Sequence, residues 1–114
     1  MMVAMTAPDV ALVSGDLLFA SRLRATLGAG TVALVAGATV PEVRTVFVDL
    51  NSDVETRLLL VADLRARGDV RIIGFCQHDD REVRIRAMEH GADQVVTNGS
   101  LQEAALRLAG REHD

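Results

Sequence analysis

Short apolar runs alternate with amphipathic segments along the chain, and this alternation restricts the fold more than any other feature. Because the runs are apolar without strict alternation, they are typical of parallel strands that helices cover on both faces. The chain contains three Phe and neither Trp nor Tyr, so the predicted core is aliphatic. The predicted strands are VALV (10–13), TVALVA (31–36), TVFV (45–48), VRIIGF (70–75) and QVV (94–96).

The segments between the runs have helical periodicity and recognisable ends. Phe19, Leu23 and Leu27 recur every four residues, and Gly28 follows them. Strands and helices that alternate in this way predict an α/β fold with right-handed crossovers. Three further segments begin with a capping-box pair and stop at a glycine, which are common helix start and stop signals: Ser52 with Glu55 and Gly68, Asp79 with Glu82 and Gly91, and Ser100 with Glu103 and Gly110.

The link between the second and third predicted strands is unusually short. Only GATVPEVR (37–44) is available, which is less than the usual crossover of about ten or more residues. Pro41 can start at most one helical turn there. We therefore expect a shortened or missing second helix.

Length and composition exclude several kinds of protein. A chain of 114 residues, 49% of them apolar, suits one domain, predicted over 9–110 with tails at 1–8 and 111–114. The net charge is −4 and the arginines are scattered among acids, so no nucleic-acid partner is expected. No apolar stretch is long enough to span a bilayer, so no membrane partner is expected. The single cysteine, Cys76, excludes an internal disulfide and fits a reducing compartment, which predicts a cytoplasmic protein.

Polar residues follow four of the predicted strands. In an open parallel sheet, ligands and chemistry collect beyond the carboxyl ends of the strands. We therefore expect these loops to meet at one edge of the sheet, around Asp49. The loops are SGD (14–16), DLNS (49–52), CQHDD (76–80) and TNGS (97–100).

In this order, the loops and the segments beside them resemble the receiver domains of bacterial two-component response regulators. The resemblance covers roughly residues 9–110 and is clearest in VALVSGDLLFASRLRATL, VFVDLNS and REVRIRAMEHGADQVVT. It implies a chemotaxis-receiver-like domain. The implied fold is a flavodoxin-like three-layer sandwich, whose five-stranded parallel sheet has the order 2-1-3-4-5.

The family's chemistry is implied at only one position of five in this chain. In receivers an aspartate at the end of the third strand accepts a phosphoryl group, and an acidic pair after the first strand helps to hold magnesium. A Ser or Thr ends the fourth strand, and a Lys ends the fifth. The aspartate corresponds to Asp49, but the acidic pair falls on Ser14 and Gly15. The Ser/Thr position falls on Cys76 and the Lys position on Asn98, so the resemblance implies an atypical, degenerate receiver.

Neighbouring acids offer little compensation for these replacements. Asp16 and Asp49 together would bind magnesium weakly at most, so no cofactor is expected. Structural interpretations remain open beside the chemical ones. They are Asp16 as the N-cap of the first helix, Asp49 as the polar end of a strand, Cys76 as a buried apolar filler and HDD (78–80) as a helix start.

Three functions agree with these residues. The first is a stand-alone receiver-like signalling module, not an enzyme, which acts by contact with a protein partner while phosphorylation is impaired or absent. The second is a phosphoacceptor of a two-component phosphorelay that uses Asp49. The third is a small-molecule-binding flavodoxin-like domain, which rests on fold analogy alone.

The resemblance also implies a partner surface, formed by the fourth helix, fifth strand and fifth helix. Ordinary receivers present this face to partners or to a second copy, so a homodimer is one possibility. Its polar residues can support such a contact, although solvated charge explains them equally well. They are Arg86, Glu89, Gln102, Glu103 and Arg107.

Overall fold

The computed structural model describes residues 9–28, 31–35 and 39–108. The elements are β1 (Val10–Val13), α1 (Leu17–Leu27), β2 (Val32–Val35), β3 (Thr45–Asp49), α2 (Val54–Arg67), β4 (Arg71–Cys76), α3 (Arg81–His90), β5 (Gln94–Thr97) and α4 (Leu101–Leu108). A 3₁₀ turn over Asn98–Ser100 leads into α4.

All five strands are parallel, and their order across the sheet is β2-β1-β3-β4-β5. The predicted flavodoxin-like α/β fold is therefore confirmed, and α3 and α4 correspond to a receiver's fourth and fifth helices. Of the helices in the described residues, none has the length and apolarity needed to cross a membrane.

Side chains that alternate along the strands fill two apolar layers, one on each face of the sheet. Val13 and Val48 belong to the layer beneath α2 and α3. Leu12, Phe47 and Phe75 belong to the layer beneath α1 and α4 and are completely buried. This packing holds the central strands in register, so the loops at their carboxyl ends have fixed positions.

The described part of the link between β2 and β3 forms no helix, which agrees with the expected shortened or missing second helix. Residues 39–44 contain no helix, and residues 37–38, at the start of the short link, lie outside the described residues. Val40 is buried in the layer beneath α2 and α3, and Val43 packs against that layer. Arg67 Nη1 donates to the Val40 carbonyl at 3.0 Å. Val40 and Val43 thus cover part of the apolar layer that a second helix would otherwise cover. This is why so short a link can join two parallel strands.

The predicted helix stops agree with the structure. Gly28, Gly68 and Gly91 follow α1, α2 and α3, and each has a positive φ, which favours glycine. The fourth predicted stop, Gly110, lies outside the described residues.

Two of the predicted helix starts are wrong by one residue. Ser52 does not cap α2; Asp53 precedes the helix in the left-handed region with a φ of 51° and forms no side-chain cap hydrogen bond. Asp79 does not cap α3; Asp80 does. The reason at the second site is that Asp79 belongs to a turn closed by the Asp80 N–H and the Gln77 carbonyl at 3.1 Å. The loop turn thus occupies the position that the capping pattern assigned to the helix.

Asp80→Ala is expected to lower the free energy of unfolding by about 1 kcal/mol, because it removes the acceptor of the Val83 N–H. Asp79→Ala, one residue earlier and exposed, is the matched control and is expected to change that free energy by less than about 0.5 kcal/mol. Urea denaturation followed by far-UV circular dichroism measures both. A larger loss for Asp79→Ala would contradict the observed cap.

Candidate functional site

The four predicted loops lie at one edge of the sheet. Strands β1, β3, β4 and β5 are parallel neighbours, so their carboxyl ends lie side by side. Asp49 pairs with Phe75 across β3 and β4, and Cys76 pairs with Thr97 across β4 and β5. The predicted position of Asp49 at the carboxyl end of the third strand is confirmed.

Asp49 is buried, and neutral donors engage both of its carboxylate oxygens. Only 2% of the residue is exposed. Its Oδ2 accepts a hydrogen bond of 2.6 Å from the Ser14 hydroxyl. Its Oδ1 accepts from the Asn51 N–H at 2.9 Å and from the Asn51 side-chain amide at 2.7 Å. A buried carboxylate needs such partners, and here the chain itself supplies them.

The β1–α1 loop supports this arrangement from the other side. Ser14 is buried, and its hydroxyl oxygen accepts from the Asp16 N–H at 3.0 Å while the hydroxyl donates to Asp49. The Asp16 carboxylate accepts from the Leu18 N–H at 2.9 Å, so the interpretation of Asp16 as an N-cap is confirmed. Gly15 is exposed, and a Cβ placed there would meet open space.

Asn98, at the family's lysine position, joins the network through Asn51. The Asn51 amide donates to Asn98 Oδ1 at 3.0 Å, and the Asn98 amide donates back to Asn51 Oδ1 at 2.9 Å. This reciprocal pair links the β5–α4 loop to the residue that holds Asp49. Sequence reasoning gave Asn51 no role, although a polar residue two positions after a strand-ending Asp is typical of an Asx turn.

Arg57 was also missed, and it brings a buried positive charge to the same edge. It lies in the first turns of α2 and is 6% exposed. Its Nη1 donates to the Asp49 carbonyl at 2.7 Å and reaches the Val13 carbonyl at 3.5 Å. Its Nη2 lies 3.8 Å from the Asp53 carboxylate. The available signal was its spacing, because Arg57 is in helical phase with the buried face of α2 that contains Leu60, Val61 and Leu64.

Cys76 ends β4, one residue beyond the predicted strand, and is fully buried in the layer beneath α2 and α3. Burial raises the pKa of the Cys76 thiol above its ordinary value, and the nearby Arg84 guanidinium opposes this rise. The interpretation of Cys76 as a small apolar filler therefore agrees with the structure, since a reactive thiolate needs the opposite environment.

The residues at this edge do not fit a magnesium ion. Within residues 9–28, 31–35 and 39–108, no three His, Cys, Asp or Glu are grouped to hold a metal. Asp49 already accepts three hydrogen bonds, and Asp16 caps α1. Magnesium prefers several oxygen ligands, commonly with one or two free carboxylates among them, and neither Asp49 nor Asp16 is free to serve as one.

The predicted partner surface is less complete than expected. Arg86 points toward α2, where it forms a two-pronged ion pair with Glu55 at 2.7 Å and lowers the pKa of that carboxyl. Gln102 donates to Thr26 of α1 at 2.9 Å. Neither side chain is therefore free to serve the face around β5. The groove beside β5 is lined by charged residues of α3 and α4, which are Arg84, Glu103 and Arg107.

Comparisons with known proteins give structural matches only. Neither a family model nor a curated protein sequence matches the chain. The receiver domain of the TMAO respiratory system response regulator TorR is 28% identical with a TM-score of 0.74, over 87% of this chain and 91% of that one. The BeF3-activated DrrB receiver domain is 18% identical with a TM-score of 0.76, over 93% of this chain and 97% of that one. A CheY-like protein, TadZ from Pseudomonas aeruginosa, is 18% identical with a TM-score of 0.74, over 90% and 99%.

These matches span nearly the whole of each receiver domain, and the sheet order is the one that the sequence motifs implied. An aspartate ends the third strand, and the polar loops of the first and fifth strands converge on it. The chain therefore has the fold of response-regulator receiver domains, and these solved receiver structures are what it is similar to.

Proposed function

We propose that this chain, a response-regulator signalling module by its fold, acts through contact with a protein partner and that phosphorylation of Asp49 is impaired or absent. The observation that carries the proposal is the engagement of both Asp49 oxygens by Ser14 and Asn51. A phosphoacceptor needs a free carboxylate oxygen to attack the phosphoryl group. Here each oxygen is held by donors that would have to be displaced first.

Apart from Asp49, the positions at which receivers place charges for phosphoryl transfer are uncharged in this chain. The transition state spreads negative charge over the phosphoryl oxygens, and metal ions and fixed cations normally neutralise it. Ser14, Gly15 and Asn98 are uncharged, and the Arg57 guanidinium bonds main-chain oxygens of the strands. Each missing interaction is of a kind worth a few kcal/mol, so the combined rate deficit reaches about 10⁴-fold or more.

Acetyl phosphate with magnesium is therefore expected to leave the intact mass of the protein unchanged. Electrospray mass spectrometry measures this directly, and Asp49→Asn is the control for modification elsewhere. The chain has no lysine, so acetylation of lysine side chains cannot confuse the result. A stoichiometric mass gain that Asp49→Asn abolishes would favour the alternative, a phosphoacceptor that uses Asp49.

Asp49→Asn should also leave fold and partner binding nearly unchanged, because each hydrogen bond of the buried network keeps a partner. An Asn side-chain oxygen can still accept from both Asn51 donors. The Ser14 hydroxyl can turn to accept from the new amide, since a hydroxyl both donates and accepts. The same substitution would abolish signalling in a module that depended on phosphorylation.

The proposed partner contact is the groove beside β5, between α3 and α4. Its mixture of positive and negative side chains, Arg84, Glu103 and Arg107, suits a partner with a polar surface. Equilibrium sedimentation of the pure protein distinguishes a second copy from a different partner, because only self-association raises the mass with concentration.

A further inference from the structure

Among the described residues, Arg57 is the one positively charged residue in the buried class. A charge that is 94% buried is costly unless acceptors surround it. Its Nη1 finds those acceptors at the carboxyl ends of the two central strands, in the carbonyls of Val13 on β1 and Asp49 on β3. Arg57 therefore joins two strand ends whose main-chain oxygens face the polar edge of the sheet.

The exposed fraction of Arg57 is 6%, and its remaining charged contact is with Asp53, one turn earlier at 3.8 Å. Asp53 is itself exposed, so this ion pair offsets little of the burial cost. The two carbonyls are the main partners. The position of the guanidinium is thus determined by the strand ends.

This geometry conflicts with a divalent ion at the same edge. An ion near Asp49 would have to displace the Ser14 and Asn51 donors from the carboxylate. It would also lie beside Asp49, whose main-chain carbonyl binds the buried Arg57 guanidinium at 2.7 Å, and repulsion between cations is strong in a poorly solvated place.

We propose that the Arg57 guanidinium is the permanent cation of this site, which holds the ends of β1 and β3 together and excludes a divalent metal ion. The arrangement of the loops then does not depend on a metal. This inference concerns metal exclusion alone, so it does not require that the proposed partner contact or the impaired phosphorylation be correct.

The test restores one acid and then removes the cation. Gly15→Asp adds a carboxylate where a Cβ meets open space and φ is not positive. Gly15→Asp with Arg57→Gln also removes the charge but keeps a side-chain amide. Gly15→Asp with Arg57→Lys keeps a positive charge and is the matched control. Thermal unfolding in EDTA and in about 10 mM MgCl₂ reports binding, because a ligand of the folded state raises the midpoint.

The Gly15→Asp, Arg57→Gln protein is expected to bind Mg²⁺ at least about 10-fold more tightly than Gly15→Asp alone, and the Arg57→Lys form is expected to resemble Gly15→Asp. Equal affinities in all three, or no binding in any, would overturn the proposal. If the Arg57→Gln form is unfolded in EDTA, recovery of its circular dichroism on adding MgCl₂ supports the proposal, and failure to recover contradicts it. Neither readout measures phosphorylation or partner binding, so failure here leaves the proposed function untouched.

Discussion

Gly91→Val is expected to lower the free energy of unfolding by about 3 kcal/mol or more. Gly91 ends α3 with a φ of 119°, a conformation that a β-branched residue adopts only with strain. A Cβ at this position would also lie 2.8 Å from both Cβ and Cγ of Arg65. Real Cβ atoms do not approach so closely, so either α3 or the Arg65 side chain would have to shift.

Moving the Arg65 side chain would cost considerable free energy, because its guanidinium connects three segments. Its Nε donates to the Gly91 carbonyl at 3.0 Å. Nη1 donates to the Gly68 carbonyl at 3.1 Å, and Nη2 to the Val70 carbonyl at 3.2 Å and to Asp93 at 2.6 Å. Moving the stem of Arg65 would strain all of these bonds, which join the end of α2, the start of β4 and the α3–β5 turn.

Gly68→Val is a control for the clash at a similar φ, with a ψ of −114° where Gly91 has 8°. Gly68 also follows a helix and has a φ of 117°, but a Cβ there meets nothing within 4 Å. Its substitution should therefore cost only the backbone strain, about 1–2 kcal/mol. Urea denaturation of both variants measures the difference in unfolding free energy. Equal losses of that free energy would show that the Arg65 side chain moves aside at little cost.

The sequence predicted the sheet well because strands buried on both faces appear as continuous runs of apolar residues. The run predicted at 10–13 is β1 to the residue, and the run predicted at 45–48 is β3 without its final Asp49. The apolar run stops before Asp49 because Asp49 is polar, yet Asp49 pairs in register with Phe75 and its backbone continues the strand. The end of β3 is set by where its hydrogen-bonded pairing with β4 ends, and a pattern of apolar residues does not reveal that position.

The location of the site was predicted correctly, but the hydrogen bonds made there by Asn51 and Arg57 were not. Parallel topology brought Ser14, Asp49 and Asn98 to one edge, as expected. Asn51 and Arg57 were missed because their roles depend on where a turn and a helix direct their side chains. Asn51 faces back to Asp49 through a local turn, and Arg57 reaches the strand ends only because α2 begins after Asp53.

The same dependence on helix orientation explains why the predicted partner surface is less complete than expected. Arg86 and Gln102 lie on the expected helices, but each points toward a neighbouring helix, to Glu55 and Thr26 respectively. Helical periodicity fixes which residues share a face. Which neighbour that face meets is decided by tertiary packing, so the sequence could not separate the residues beside β5 from those between α2 and α3.

Phe47→Ala is expected to cost about 3–5 kcal/mol of unfolding free energy, a large share of the roughly 5–15 kcal/mol typical of a domain. Phe47 is completely buried in β3, in the middle of the sheet, and packs in the layer beneath α1 and α4 with Leu12 and Ile73. Truncation leaves a cavity that rigid strands on both sides cannot close. The chain has no Trp or Tyr, so circular dichroism and not fluorescence must follow the unfolding.

Phe47→Leu separates loss of volume from loss of the ring. Leucine refills most of the space and should cost less than about 1.5 kcal/mol. The effect should also reach the candidate site, because Phe47 lies two residues before Asp49 on the same face of β3. Amide NMR shifts of Ser14 and Asn51 should therefore move in Phe47→Ala and stay near their wild-type values in Phe47→Leu. Unchanged shifts in a destabilised Phe47→Ala protein would mean that hydrogen bonds hold the Asp49 network independently of the core beneath it.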